Sequence, residues 1–356
     1  MSDRVQALWD RLREAGVVQD AAPPATPPSS PWYVGAMLGA AGWIAAVCLL
    51  GFLGLAFKGI FDSRLASLLT GVLLVGIAYC IFRGAGRIAF LQQFGLATSL
   101  AGQALMGVGI YAILGRDDGA FWLTMAAIEA GLAIALPNFL HRVWSGYAAA
   151  IALAIALASL RAPFVTTGVI AAVIALVWLK EIEWVRLGSA VRPIGYGLTL
   201  ALLQVAATSA FAAPWLLGVR SAAVTPWLAP WMGELTSAAV LIVVVWKLLA
   251  QAGAQLPDRS AVGGLAMAVL IGAVSCKAPG ISAALTVVLL GYAAGNRVLA
   301  GLGIAAMVAY VFAYYYSLEA TLLFKSGLLA ATGATLLAVR ALLLKWSQTE
   351  HEVDRA

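Results

Sequence analysis

From about residue 34 to about residue 344 the chain is a succession of long apolar segments separated by short connections. Apolar residues run continuously through each segment instead of alternating, and lipid leaves a backbone of this kind only the helix as a spanning structure. Twelve segments are read, at about 34–57, 65–82, 89–114, 119–137, 145–160, 162–179, 193–217, 233–250, 260–277, 280–295, 297–315 and 318–344, against the roughly 20 residues a spanning helix takes. Little chain remains for a soluble domain, and only 11% of residues are charged where soluble domains carry about 25%. The expected fold is all-α, a polytopic transmembrane helical bundle of about twelve spans. The fifth and sixth segments meet at Arg161 and Pro163, the ninth and tenth at Lys277, Pro279 and Gly280. Reading one of those pairs as a re-entrant hairpin gives the fallback of ten.

The ends divide into recognisable pieces. Residues 1–22 carry Val5, Leu8, Trp9, Leu12 and Ala15 at helical spacing with Asp10, Arg11, Arg13 and Glu14 opposite, the pattern of a cytoplasmic amphipathic helix. Residues 23–33 are read as a proline-rich linker containing Pro23, Pro24, Pro27, Pro28 and Pro31, and since residues 1–33 show no signal-peptide pattern, insertion is expected to use the first span itself. The transmembrane domain covers 34–345 and a cytoplasmic tail 346–356. With the N-terminus inside, fifteen of the 22 basic residues fall on inner segments, among them Arg83, Arg87, Arg142, Arg186 and Arg192, and six on outer ones. Both termini are therefore expected in the cytoplasm. Most tryptophans, including Trp32, Trp122, Trp144, Trp178 and Trp246, lie near span ends, where the ring suits the headgroup level. The longest outer connection, from about Ala213 to Glu234, holds Trp215, Trp227 and Trp231 and reads as an interfacial belt or a docking surface.

Several chemistries are excluded by what the chain lacks. Cys48, Cys80 and Cys276 lie in apolar runs and supply no disulfide framework, and His141 and His351 are read in a loop and the tail, so no His-rich metal site is expected. No phosphate-binding glycine loop, serine nucleophile elbow or acidic cluster is present. No catalytic, cofactor or metal residue is assigned. The net charge of +6 is read as the inside-positive bias plus attraction to anionic lipid, not as a nucleic-acid footprint.

Buried ionisable groups are the natural functional candidates, because one near the bilayer centre costs roughly 2.5–3.5 kcal/mol and needs a partner or a job. Glu129 lies midway along the fourth segment, about 13 Å deep by helical rise, and Lys325 in the last segment about 8 Å deep. A lysine that extends or snorkels can bridge that gap, so a Glu129–Lys325 pair is open to two readings, structural ion pair or polar path. Gln103 and Gln204, near the middle of their segments, join the candidate path or act as interhelical glue. A candidate outer mouth comprises Tyr314, Tyr315, Tyr316, Glu319 and Lys277, the last within a break formed by Ser275, Cys276, Pro279 and Gly280. Gly35 with Gly39, and Gly291 with Gly295, fit close helix packing.

The opening residues Trp9, Leu12, Ala15, Gly16, Pro31, Trp32, Tyr33, Gly42 and Trp43 resemble those of a bacterial membrane-protein family known only as a domain of unknown function. Gly295, Asn296, Arg297, Leu299, Gly301, Leu302 and Gly303, followed by Tyr314, Tyr315, Tyr316, Leu318, Thr321, Leu322, Leu323, Lys325 and Ser326, resemble its C-terminal signature. The resemblance implies as partners a second multi-span membrane protein and a membrane-anchored protein with a GDYXXLXY domain, and it assigns no site residue. Two functions are weighed: a transporter or flippase-like carrier using the buried Glu/Lys path, and a non-catalytic subunit or scaffold of a membrane complex.

Overall fold

A computed structural model describes residues 32–56, 63–84, 88–115, 119–160, 165–181, 188–211, 231–254 and 258–317, with isolated positions elsewhere. Eleven helices run through these residues: α1 Trp32–Ala56, α2 Arg64–Gly84, α3 Ala89–Leu114, α4 Gly119–Ala135, α5 Phe139–Ser159, α6 Thr166–Leu179, α7 Gly188–Ala210, α8 Trp231–Gln251, α9 Arg259–Ser275, α10 Ile281–Ala293 and α11 Arg297–Ser317. Each of the first eleven apolar segments coincides with one helix, and no strand occurs among the described residues. Six helices, α2, α3, α5, α7, α8 and α11, are long and apolar enough to cross a membrane, while α4, α6, α9 and α10 are shorter apolar helices. Most of the last segment at 318–344, with Lys325 and Glu319, lies outside the described residues, as do residues 23–31 of the proline-rich linker, most of the 213–234 connection and the tail, while Trp32 and Tyr33, expected in the linker, open α1.

Two helices begin earlier than the hydropathy predicts, for local reasons. Polar His141 and Arg142 moved the expected start of the fifth segment to about 145, yet α5 begins at Phe139. Asn138 stands in extended conformation before it and its Oδ1 accepts the His141 backbone N–H at 3.0 Å, an N-cap that starts the helix two turns sooner. His141 is accordingly not a loop residue: it sits in the first turn of α5 and is wholly buried. Likewise α7 starts at Gly188 and contains Pro193. Proline offers no N–H to the carbonyl four residues back, and the freed Ser189 carbonyl accepts from Arg142 Nη1 at 2.8 Å. One guanidinium thus ties α5 to α7.

The helices pack as two groups, α1–α5 and α6–α11, joined chiefly by α5 against α7. Backbones approach closely where side chains are absent. A Cβ on Gly71 of α2 would lie 2.7 Å from the Gly102 carbonyl of α3, and one on Gly102 would lie 2.7 Å from the Gly71 carbonyl, so the pair locks α2 against α3. In the second group, Ile174, Leu202, Val244, Val287, Leu290 and Leu299 form the centre of the larger core. The α10–α11 hairpin closes on Gly291 and Gly303, which face Ala300 and Val288. Gly295 has a different role from the packing expected of it. Its φ of +60 turns the chain between the two helices, and no neighbour crowds it.

Candidate functional site

The α4–α5 hairpin sets the level of the site. Glu129 on α4 and Ser145 on α5 each stand eight residues from Pro137 in the turn, about 12 Å along either helix. The two side chains therefore meet at one height, the Ser145 hydroxyl being the polar group the Glu129 carboxyl faces. His141 lies one helical turn from Ser145 on the same side of α5. From α3 come Ser99 and Gln103, four residues apart and hence also on one side. All five are buried.

Three of these groups, Ser99, Gln103 and His141, are bonded together, and loose ends lie beside them. Gln103 Nε2 donates to His141 Nε2 at 2.7 Å, and the Ser99 hydroxyl lies 2.8 Å from the same nitrogen. Gln103 Nε2 also reaches Ser99 Oγ at 3.4 Å. Because His141 Nε2 accepts, the neutral ring carries its proton on Nδ1. That nitrogen, Glu129 Oε2 and Ser145 Oγ are buried and make no hydrogen bond among the described residues. Phe82 of α2 packs edge-on against the imidazole, with ring centroids 6.1 Å apart. A buried polar group without a partner costs about 1–3 kcal/mol, and here one lies on the Glu129 carboxylate and two on neighbouring turns of α5, which no helix-packing role explains.

The candidates read from the sequence separate accordingly. Gln103 is bonded to His141, which the sequence reading placed in a loop, and Glu129 faces Ser145, one helical turn along α5 from that histidine. Gln204 does not: it accepts from the Tyr147 hydroxyl and links α5 to α7. Gln92, nearer the end of α3, accepts from Asn138 Nδ2 at 2.7 Å and braces the start of α5. Of the proposed mouth, Tyr314, Tyr315 and Tyr316 form the last turns of α11, Tyr316 being exposed, and Lys277 is exposed in the α9–α10 turn.

A second buried carboxylate was not picked out as a candidate, because Glu234 stands where a tryptophan- and proline-rich connection gives way to α8. Glu234 Oε1 accepts the Gly280 backbone N–H at 3.2 Å, at the break between α9 and α10, and Oε2 is unpartnered. Gly280 has φ of +91, and a Cβ there would lie 2.7 Å from the Tyr310 ring, so only glycine suits the position. Around the break, Ser282 Oγ donates to Ser275 Oγ at 2.7 Å, and the Tyr310 hydroxyl donates to the Leu203 carbonyl at 2.5 Å. The described ion pairs, Lys180–Glu183 and Arg192–Glu181, involve neither buried carboxylate. Among the described residues no group of three or more His, Cys, Asp or Glu side chains is placed to hold a metal ion.

The length, apolarity and mutual packing of these helices are those of a membrane protein. No curated protein and no solved structure matches the chain. Residues 31–346 match the family described as a domain of unknown function, DUF4401, and since that is most of its length the chain belongs to this family.

Proposed function

We propose that this protein is a carrier of the bacterial inner membrane, with both termini in the cytoplasm, in which Ser99, Gln103, Glu129, His141 and Ser145 form the midpoint of a polar path for a small hydrophilic solute or a proton. One observation carries the reading: a carboxylate, an imidazole and a hydroxyl are buried together, each with an unpartnered atom. Glu129 stands about 12 Å from one end of α4–α5 and about 15 Å from the other, near the centre of a hydrocarbon core about 30 Å thick. Intramembrane ionisable groups at such a depth commonly serve transport. The cluster supplies both donors and acceptors, which suits a solute that sheds its water on entry. Lys325, from the last segment, completes the path in this reading.

The test needs no knowledge of the substrate. A variant with its three native cysteines replaced and Ser145→Cys added is exposed to a small, charged thiol reagent in right-side-out and inside-out vesicles. A path makes the new thiol reactive from at least one face, and Glu129→Gln in the same background changes the rate. A thiol inert from both faces, in a protein that folds and reaches the membrane, refutes the carrier.

A further inference from the structure

The cleft beside the central cluster gives three of its residues a second use. A cavity of about 380 Å³ lies between α3, α5 and α7, lined by Leu96 and Leu100, by Leu140 and Trp144, and by Leu200. Leu140, Trp144 and Leu200 are exposed, so the cleft opens on the hydrocarbon that surrounds spanning helices. Leu96, Leu100 and Gln103 follow one another at four and three residues, on one face of α3. His141 stands three residues before Trp144 on α5, on the adjoining turn. A contact joins wall and cluster as well: Leu96 packs in one cluster with Phe82, whose ring meets the His141 imidazole.

Between α3 and α5, the Ser99 hydroxyl lies 2.8 Å from His141 Nε2, the nitrogen that carries the lone pair. A neutral imidazole in that tautomer can take the proton of the hydroxyl it faces, and a serine so activated is a nucleophile. Gln103 Nε2 lies 2.7 Å from the same ring nitrogen and 3.4 Å from Ser99 Oγ. One lone pair thus serves two donors, and a carbonyl oxygen that takes the Gln103 N–H leaves it to the hydroxyl. An amide donor beside the nucleophile is also where an oxyanion needs one. Nδ1 has no acceptor among the described residues, so the pair is a dyad without the third group that orients a triad. The ring is held by other means. Asn138 accepts the His141 backbone N–H at 3.0 Å and donates from Nδ2 to Gln92 of α3 at 2.7 Å, while Phe82 packs edge-on against the imidazole. These bonds fix the start of α5 against the helix that carries Ser99.

We infer that Ser99 and His141 form a nucleophile and base that cleave a lipid-like ester, whose apolar chain enters from the bilayer through the cleft between α3 and α5. Ser99 Oγ adds to the carbonyl carbon as its proton passes to His141 Nε2, and the oxyanion takes the Gln103 N–H. The bond to the leaving oxygen then breaks and His141 gives that oxygen the proton, releasing an alcohol and leaving an acyl-serine. Water, the co-reactant, repeats the sequence on the acyl-serine and yields a carboxylic acid and free Ser99. No charged side chain lines the cleft among the described residues. An acyl chain brings no polar group into it, whereas a peptide would bring backbone N–H and C=O groups with nothing to bond. The activity uses part of the proposed path but needs no transport: an inert thiol at residue 145 leaves it standing, and an unreactive Ser99 leaves the carrier standing.

Full-length protein in lipid nanodiscs is treated with a long-chain alkyl fluorophosphonate, which forms a stable adduct on an activated serine, and the adduct is mapped by mass spectrometry. Labelling is expected on Ser99, absent in Ser99→Ala, and slowed about a hundredfold or more in His141→Gln, the share of a general base. Ser99→Cys serves if the alanine variant fails to fold. It should lose the fluorophosphonate adduct and react with a long-chain iodoacetamide, more slowly once His141→Gln is added. Leu200→Trp, which fills the cleft, should slow labelling about tenfold, from about 1.4 kcal/mol of lost binding. Wild-type protein that stays unlabelled, an adduct confined to other residues, or a rate indifferent to His141→Gln overturns the dyad. A rate indifferent to Leu200→Trp overturns the entry route and with it the lipid-like substrate.

Discussion

Replacing Glu129 separates a residue kept for function from one kept for stability. If the carboxylate is charged, placing it in the hydrocarbon costs roughly 2.5–3.5 kcal/mol. Its facing group is one hydroxyl, from Ser145, and a hydrogen bond to a charged acceptor returns about 1.5–3 kcal/mol at best geometry. Ser145 Oγ does not reach that geometry, so the balance leaves Glu129 destabilising by about 1 kcal/mol or more. Glu129→Leu, close in volume and apolar, is therefore expected to be neutral or stabilising by about 1 kcal/mol, and Glu129→Gln to lie within about 1 kcal/mol of wild type. Both should accumulate in the membrane, and on the proposed function both should change the reactivity of a Ser145→Cys thiol. Denaturant or thermal unfolding of purified protein measures the first effect, and thiol labelling in vesicles the second. A structural Glu129–Lys325 ion pair makes the opposite forecast. Removing one partner of a buried pair destabilises by about 3–5 kcal/mol, and neutralising both restores much of it. A loss of that size in Glu129→Gln, recovered on adding Lys325→Met, would refute the reasoning.

Three further outcomes test the frame that carries the site. Gly71→Val puts a side chain where the Gly102 carbonyl and Met106 backbone nitrogen stand 2.7 Å away, and should destabilise by about 1–3 kcal/mol; Gly76→Ala, with nothing within 4 Å, should be neutral or stabilising by up to about 1 kcal/mol, and unfolding of the two variants compares them. Asn296→Ala removes the cap from Oδ1 to the Leu299 N–H and the bond from Nδ2 to the Tyr196 hydroxyl, costing about 1–3 kcal/mol in the same assay, of which Tyr196→Phe should reproduce only the second part. A reporter active only in the periplasm, fused after Ala356, should be silent, and a strong signal there reverses the orientation.

What the sequence made legible follows the strength of each physical signal. Continuous apolarity over helical lengths is not ambiguous, which is why eleven segments map onto eleven helices. Starts were harder where polar residues lie inside a helix: His141 and Arg142 interrupt the apolar pattern, yet one is buried against Ser99 and Gln103 and the other spans two helices through the Ser189 carbonyl. The pattern Pro137–Asn138 before them is a helix-start signal that hydropathy overrode. Glu129 was legible because a charge in an apolar run needs a partner or a job. Glu234 was not, since a charge near a predicted boundary looks like an ordinary interfacial residue. Only the close approach of the α9–α10 break from a distant part of the chain shows that the boundary there is buried.

The same contrast bears on where the family's chemistry resides. The signature residues that carry the resemblance near the C-terminus have structural work in the described part of the chain. Gly295 makes the turn, Asn296 caps α11 and holds Tyr196, Leu299 fills the core, and Gly303 lets α10 and α11 approach. These roles specify a hairpin and are satisfied by backbone geometry and packing. Buried atoms without a partner are different in kind, because each lowers stability and no bond offsets it. Such groups occur among the described residues on α3, α4, α5, α6 and α8, away from the α10–α11 hairpin. On the proposed function, the residues that build the hairpin and the residues that bind part company in this chain, and family relatives that keep the hairpin while varying Glu129 or His141 are expected to share its fold and differ in what they bind.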